Sequence, residues 1–205
     1  MTRLGILLSG RGSNFLAIAQ AIREHRMVGA EICVVLSNQE NAPGLQAARD
    51  LRLPAFAVPS AGRKRVEHDA EMIARLHQHR VDLVCLAGYM RLLSSLFVQA
   101  FPQRILNIHP SLLPAFPGLH AQGQALTYGA KVTGCTVHFV DEELDHGAII
   151  LQRSINVEDN DTADTLSQRI LESEHVAYSD AIKRVMSGQY EILGRRYVRR
   201  LAKLT

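Results

Sequence analysis

The chain is short of several features that would direct it elsewhere. Cysteine is limited to Cys33, Cys85 and Cys135 among 205 residues, odd in number, far apart and each inside an apolar run. That pattern argues against a disulfide framework and favours core thiols in a reducing cytoplasm. No run of 18 apolar residues occurs, which argues against a membrane-spanning helix. The apolar run Leu4 to Leu8 is too short for a signal-peptide core and has no small-residue cleavage site behind it. No grouping of His, Cys and Asp has convincing metal-ligand spacing, and His68, His77 and His79 read as surface helix residues. Internal repeats, low-complexity linkers and composition breaks are missing too. What is present is 47% hydrophobic content, enough for the core of one compact domain and too much for a disordered or fibrous chain.

The net charge of +3 hides an uneven distribution. Residues 1–131 carry 14 basic and 8 acidic side chains, residues 132–194 carry 4 and 12, and residues 195–205 carry 5 and 0. A nucleic-acid partner, which a basic chain first suggests, therefore has only the tail to rest on.

Short apolar runs alternate with amphipathic segments. Leu4 to Leu8, Ile32 to Leu36, Phe56 to Val58 and Leu83 to Ala87 predict strands. Helices are predicted over Asn14 to His25, Gly44 to Arg52 and Arg65 to His79, the last with Val66, Ala70, Ile73 and Leu76 as its apolar face. Beyond residue 100 the rhythm changes. Arg104 to Pro110 begins as a strand and runs into Pro110, Pro114 and Pro117, too proline-rich for a helix. Leu119 to Tyr128 predicts a helix, Thr136 to Val140 and Ala148 to Leu151 predict strands, and Asp161 to Ser187 a long helix with Leu166, Ile170, His175, Tyr178, Ile182 and Met186 along one face. The fold class is α/β: an open, mostly parallel, twisted sheet with helices on both faces and a Rossmann-like N-terminal half.

Several segments carry candidate chemistry. Ser9-Gly10-Arg11-Gly12-Ser13-Asn14 joins the first strand to the first helix, where a flexible backbone and free N–H groups suit an anion. It lacks the glycine-lysine of a P-loop and fails G-x-G-x-x-G, so a monophosphate fits better than ATP or NAD; a plain turn with Ser13 or Asn14 as N-cap is the alternative. Asn107 and His109 lie two apart at the end of a predicted strand and share a face, placing an amide and an imidazole near one developing oxyanion. Asp141 to Gly147 is the densest acidic cluster; if Asp145 reached His109, the pair would form a general acid. Arg63-Lys64-Arg65 reads as a charged loop or an anion clamp. In the tail, Arg195, Arg196, Arg199, Arg200 and Lys203 interleave with Tyr197, Val198, Leu201 and Leu204, which reads as a solvated terminal segment, with an edge strand or a nucleic-acid arm as alternatives.

In combination these motifs are far more specific. Ser9-Gly10-x-Gly12-Ser13-Asn14, Leu86-Ala87-Gly88-Tyr89-Met90-Arg91, Asn107-Ile108-His109-Pro110-Ser111-Leu112-Leu113-Pro114 and Leu144-Asp145-x-Gly147 resemble, in order and spacing, the phosphoribosylglycinamide formyltransferases, over about residues 3 to 190. The asparagine, histidine and aspartate are shared with the wider formyltetrahydrofolate-using superfamily. The glycine-rich loop, Phe116-Pro117-Gly118-Leu119-His120 and Glu174-His175-x-x-Tyr178 indicate the substrate.

The resemblance implies a single formyltransferase domain over 1–205: a phosphate-binding half (1–100), a catalytic and folate-binding half (101–190) and a basic tail (191–205). It implies Asn107, His109 and Asp145 as catalytic residues, and Gly12, Ser13, Asn14 and Glu174 as contacts to the ribonucleotide. Arg65, Met90, Arg91, Leu92, Leu93 and Asn107 would contact 10-formyltetrahydrofolate, the co-substrate. No metal is expected, because the formyl group is already activated on N10. The partners implied are small molecules, without nucleic acid or membrane, for a cytoplasmic monomer or homodimer. The chain departs from the family at His146, where many relatives have glycine, at Gly123, where arginine or a similar residue is common, and at Ser179, which replaces a proline. Formyl transfer to another amine or to water, and RNA binding through the tail, are the competing readings.

Overall fold

The computed structural model describes residues 1–200. Along the chain it contains β1 (Thr2–Leu8), α1 (Ser13–Arg23), β2 (Ala30–Ser37), α2 (Pro43–Asp50), β3 (Ala55–Ala57), α3 (Arg65–Gln78), β4 (Leu83–Leu86), α4 (Ser95–Ala100), β5 (Ile105–His109), α5 (Ala121–Tyr128), β6 (Val132–Phe139), β7 (Ile149–Asn156), α6 (Ala163–Met186), β8 (Tyr190–Leu193) and β9 (Arg196–Arg199). Among the described residues, nine strands form one sheet in the order β3-β2-β1-β4-β5-β6-β7-β9-β8. Strands β1 to β5 run parallel. β6 returns antiparallel beside β5, and β7 beside β6.

The apolar strands are explained by cover on both faces. Leu4, Ile6 and Leu8 of β1 pack with Phe15 and Ile18 of α1, Leu45 of α2, and Tyr178 and Ile182 of α6. Leu7 points the other way, into a cluster with Met72 and Leu76 of α3 and Phe97 of α4, as the two-residue period of a strand requires. Each such side chain contributes about 1.5–3 kcal/mol by leaving water. The buried Tyr178 hydroxyl lies 3.0 Å from the carbonyls of both Leu86 in β4 and Leu106 in β5. It thus ties α6 to the two strands beside the point where strand order reverses, between β1 and β4. The crevice outside the carboxyl ends at such a reversal is where ligands gather in open α/β sheets.

Three expectations need correction. The buried face of α3 is His68, Asp69, Met72 and Leu76, while Val66 is 54% exposed and Ala70 also faces solvent. Hydropathy misplaces this face because His68 is not a surface residue: Nε2 lies 2.8 Å from the Val58 carbonyl and Nδ1 3.4 Å from Asp69 Oδ1. Asp69 in turn accepts from the Ser94 N–H at 2.7 Å. Both polar groups are affordable inside because they are partnered. On α6 the buried face includes Glu174, whereas His175 and Met186 are half-buried. The third correction concerns the tail. β8 and β9 pair as a hairpin, and β9 joins the sheet beside β7. Tyr197 stacks on Tyr190 and meets Phe139 edge-on, with ring centroids 5.1 and 5.3 Å apart, so Arg195, Arg196, Arg199 and Arg200 sit on an ordered edge. The remainder of the predicted tail, including Leu201, Lys203 and Leu204, lies outside the described residues.

Candidate active site

β5 and β6 bring the central groups together. Asn107 pairs with His138 and His109 with Thr136 across the β5–β6 ladder, so the four share a face. Asn107 Nδ2 lies 3.2 Å from His138 Nε2. His138 Nδ1 is 2.7 Å from the Phe139 carbonyl, which requires the proton on Nδ1 and leaves Nε2 to accept from the amide. Burial, against the opposing pulls of the Phe139 carbonyl and Asp145, holds His138 below the ordinary imidazole value. The ring is therefore a neutral acceptor. It takes one of the two Nδ2 hydrogens of Asn107 and leaves the other available.

Asp145 enters from the loop between β6 and β7. Its Oδ2 lies 3.4 Å from His109 Nδ1 and accepts from the Gly118 N–H at 2.8 Å, while Oδ1 is 3.8 Å from His138 Nε2. The carboxylate and the His109 ring are 8% and 6% exposed. Asp145 has φ 50, a left-handed conformation costing of order 1 kcal/mol. Two steps on, Gly147 approaches so closely that an added Cβ would lie 2.0 Å from the Phe139 carbonyl oxygen. His109 Nε2 is 2.9 Å from the Phe116 carbonyl, so both ring nitrogens face acceptors. The proline-rich loop beside it is pinned by Thr136: its Oγ1 donates to the Ser111 carbonyl at 2.7 Å and accepts from the Leu113 N–H at 3.0 Å.

At the other end of the crevice lies the glycine-rich loop. Gly12, with φ 72, is the N-cap of α1, and no side chain caps the helix. This corrects the alternative with Ser13 or Asn14 as cap: they are the first two helical residues. The first-turn amides stay available to an anion. Asn14 Nδ2 donates to Glu174 Oε2 at 2.8 Å, and Asn14 Oδ1 is buried without a partner. Burial pushes the Glu174 carboxyl up to about 7, against the Asn14 hydrogen bond. The residues expected to contact a ribonucleotide, Gly12, Ser13, Asn14 and Glu174, are thus brought together by the Asn14–Glu174 hydrogen bond.

The predicted folate set is more dispersed. Arg65 opens α3 and lines a shallow groove with Val66, Leu93, Ser95, Leu96 and Glu142. Among the described residues Arg65 forms no ion pair; its neighbour Arg63 is engaged with Glu71 at 2.9 Å. Arg91 reaches the Arg63 carbonyl at 3.4 Å, and its Nε is buried without a partner, a donor suited to a carboxylate. Met90 and Leu92 are 70% and 52% exposed, an apolar surface on the loop after β4. Ser9 Oγ accepts from the Met90 N–H at 2.8 Å and donates to Asn38 Oδ1 at 2.6 Å, linking this loop to the glycine-rich one.

Sequence reasoning missed His138, Asp69 and Asn38, and named Ser9 only as part of the glycine-rich loop, not as the link to Met90 and Asn38. His138 has a signal in hindsight: pairing the strands that carry Asn107 and His138 puts them opposite each other. Asp69 has none, because its role depends on a loop 25 residues away in sequence.

Residues 2–182 match the family described as formyl transferase. The chain is 40% identical to phosphoribosylglycinamide formyltransferase of Bacillus subtilis, over 91% of this chain and 95% of that protein. It is 44% identical to the trifunctional purine biosynthetic protein adenosine-3 of Drosophila melanogaster over 91% of this chain, spanning only 14% of that protein's length. Among solved structures it is similar to glycinamide ribonucleotide transformylase 1 of Symbiobacterium toebii, with TM-score 0.94, 48% identity, and coverage of 97% of this chain and 94% of that one.

Proposed function

We infer the reaction from one premise: this chain belongs to the formyl transferase family. It transfers a formyl group to the amine of 5-phosphoribosylglycinamide, giving 5-phosphoribosyl-N-formylglycinamide in de novo purine (IMP) biosynthesis. The donor is 10-formyltetrahydrofolate, which leaves as tetrahydrofolate. The observation that carries this reading is the enclosure of His109 and Asp145 beside Asn107, at the carboxyl end of β5.

In the proposed mechanism, attack of the amine nitrogen on the formyl carbon makes a C–N bond and turns the formyl oxygen into an oxyanion. Asn107, held by His138 through one Nδ2 hydrogen, offers the other to that oxygen, a donor worth about 10²–10³-fold in rate. His109 stabilises the same oxygen and supplies the proton that N10 needs as its bond to the formyl carbon breaks, a contribution of about 10²–10⁴-fold. The attacking amine gives up a proton in exchange, so charge balances. Asp145 orients His109 and pairs with it in the protonated form. Because the Phe116 carbonyl occupies His109 Nε2 at 2.9 Å, donation through that nitrogen requires the Phe116 turn to release it.

The 1–100 half supplies Gly12, Ser13 and Asn14 for the ribose phosphate, and Glu174 reaches the same ligand from α6. Arg65 and Arg91 meet the glutamate carboxylates of the folate. Met90, Leu92 and Leu93 carry its apolar part, and Asn107 touches its formyl end. The ligands are small molecules of the cytoplasm, and the protein acts as a monomer or homodimer. The reaction needs no metal, since the formyl group arrives activated, and its substrates are small molecules, not nucleic acid.

The test is to follow 10-formyltetrahydrofolate consumption with and without glycinamide ribonucleotide. Consumption that depends on the ribonucleotide and yields its N-formyl derivative supports the reading. Equal consumption in both overturns it in favour of hydrolysis.

A further inference from the structure

We propose that Arg195, in the turn between β8 and β9, is a positioning residue for formyl transfer, its guanidinium clamping the 141–147 loop that carries Asp145. The assignment rests on the reading of Asp145 given above. Arg195 Nη2 donates to the His146 carbonyl at 2.6 Å, and Nη1 lies 2.8 Å from His146 Nε2. A planar fork that meets a carbonyl and a ring nitrogen of one residue fixes both the backbone and the ring. The residue so held is the one directly after Asp145.

The ring is prepared for this contact. His146 Nδ1 lies 2.8 Å from Asp141 Oδ2, so Nδ1 carries the proton and Nε2 presents its lone pair to the guanidinium. The charged groups facing the ring are Asp141 and Glu143 from its own loop, Glu143 at 3.9 Å, and Arg195 from the hairpin. A second ring proton would fill the acceptor that Arg195 uses. On its opposite side the loop is held by Glu142, whose oxygens accept from Ser95 Oγ at 3.0 Å and Gln99 Nε2 at 3.3 Å in α4. Residues 142–144 are otherwise exposed. The loop is thus stretched between α4 and the C-terminal hairpin, with Asp145 turned inward in a left-handed conformation.

The precision matters because the His109 to Asp145 contact is already long, at 3.4 Å, and a misplacement of about 1 Å costs up to about 10²-fold in rate. An exposed pair of hydrogen bonds accounts for part of that, so Arg195→Ala should lower kcat about 10-fold. The KM values of both substrates should stay within about twofold, as expected when ground-state binding is untouched. Arg195→Lys, which keeps a cation and a donor without the fork, should recover part of the loss. Arg196→Ala removes the same charge one residue away and should behave as the unaltered protein.

One further readout separates positioning from general weakening. Amide hydrogen exchange in 141–147 should speed up in Arg195→Ala and not in Arg196→Ala, whereas a merely structural loss would also raise KM and would not be rescued by Arg195→Lys. Exchange and kcat in Arg195→Ala that match Arg196→Ala overturn the proposal. If the unaltered protein formylates no ribonucleotide, the functional reading fails, and loop exchange still decides whether Arg195 clamps.

Discussion

The two ends of the crevice each contain one enclosed carboxylate, and they are equipped in opposite ways. Asp145 accepts from the Gly118 N–H and faces His109 Nδ1. Glu174 has a single side-chain amide, that of Asn14, and burial pushes it up to about 7. A buried carboxylate with a backbone donor and an imidazole beside it is held in place by the protein itself. One with too few donors is costly to ionise until a ligand supplies the missing partners. The contrast agrees with the proposed roles, Asp145 organising the protein's own chemistry and Glu174 meeting the substrate.

The largest effect is expected at the Asp145 end. His109→Ala should cut kcat by about 10²–10⁴-fold while leaving folate binding nearly intact, as checked by steady-state kinetics beside a folate titration. Asn107→Ala should follow with about 10²–10³-fold, and equal losses in kcat and in kcat/KM would identify an interaction made only in the transition state.

At the other end, Glu174→Gln tests the cost of the buried carboxylate. A carboxyl raised on folding holds its proton in the native state between the ordinary carboxylate range and about 7, so stability falls as pH rises through that window. Above it the glutamine variant should be more stable than the parent by about 3 kcal/mol, with the gain vanishing toward pH 4. Denaturant titrations at the two pH values measure this. The same variant should bind the ribonucleotide more weakly, a loss that would not accompany a purely structural glutamate. Smallest is Arg65→Ala: an exposed cation near a flexible anion contributes about 0.2–1 kcal/mol, a rise in folate KM of less than about fivefold that added salt should erase.

Much of the N-terminal half is legible from residue order because β1, β2 and β4 are buried on both faces and α1 and α2 begin at a glycine and a proline. β1, β2 and β4 announce themselves as apolar runs, and the loop after β1 as a glycine-marked turn into a helix. Legibility fails where buried polar groups are satisfied by partners distant in sequence. His68 and Asp69 look like helix surface until Val58 and Ser94 are placed against them. His138 looks like one more strand residue until β6 is laid beside β5. The basic tail was misjudged for a related reason: its arginines dominate the count, whereas Tyr197 against Phe139 decides that it pairs. Asn107, His109 and Asp145 could be nominated from motif and resemblance, but the bridging position of His138 belongs to strand register.

Tyr178 lies one helical turn beyond Glu174, with its hydroxyl within reach of two carbonyls on neighbouring strands. The span from Glu174 to the strand that bears Asn107 is therefore set by the length of one aromatic side chain, a rigid gauge, rather than by the reach of a loop. Shortening the gauge by a single atom, as in Tyr178→Phe, removes none of the groups proposed to touch a substrate, yet it takes away the stop that holds α6 against β4 and β5.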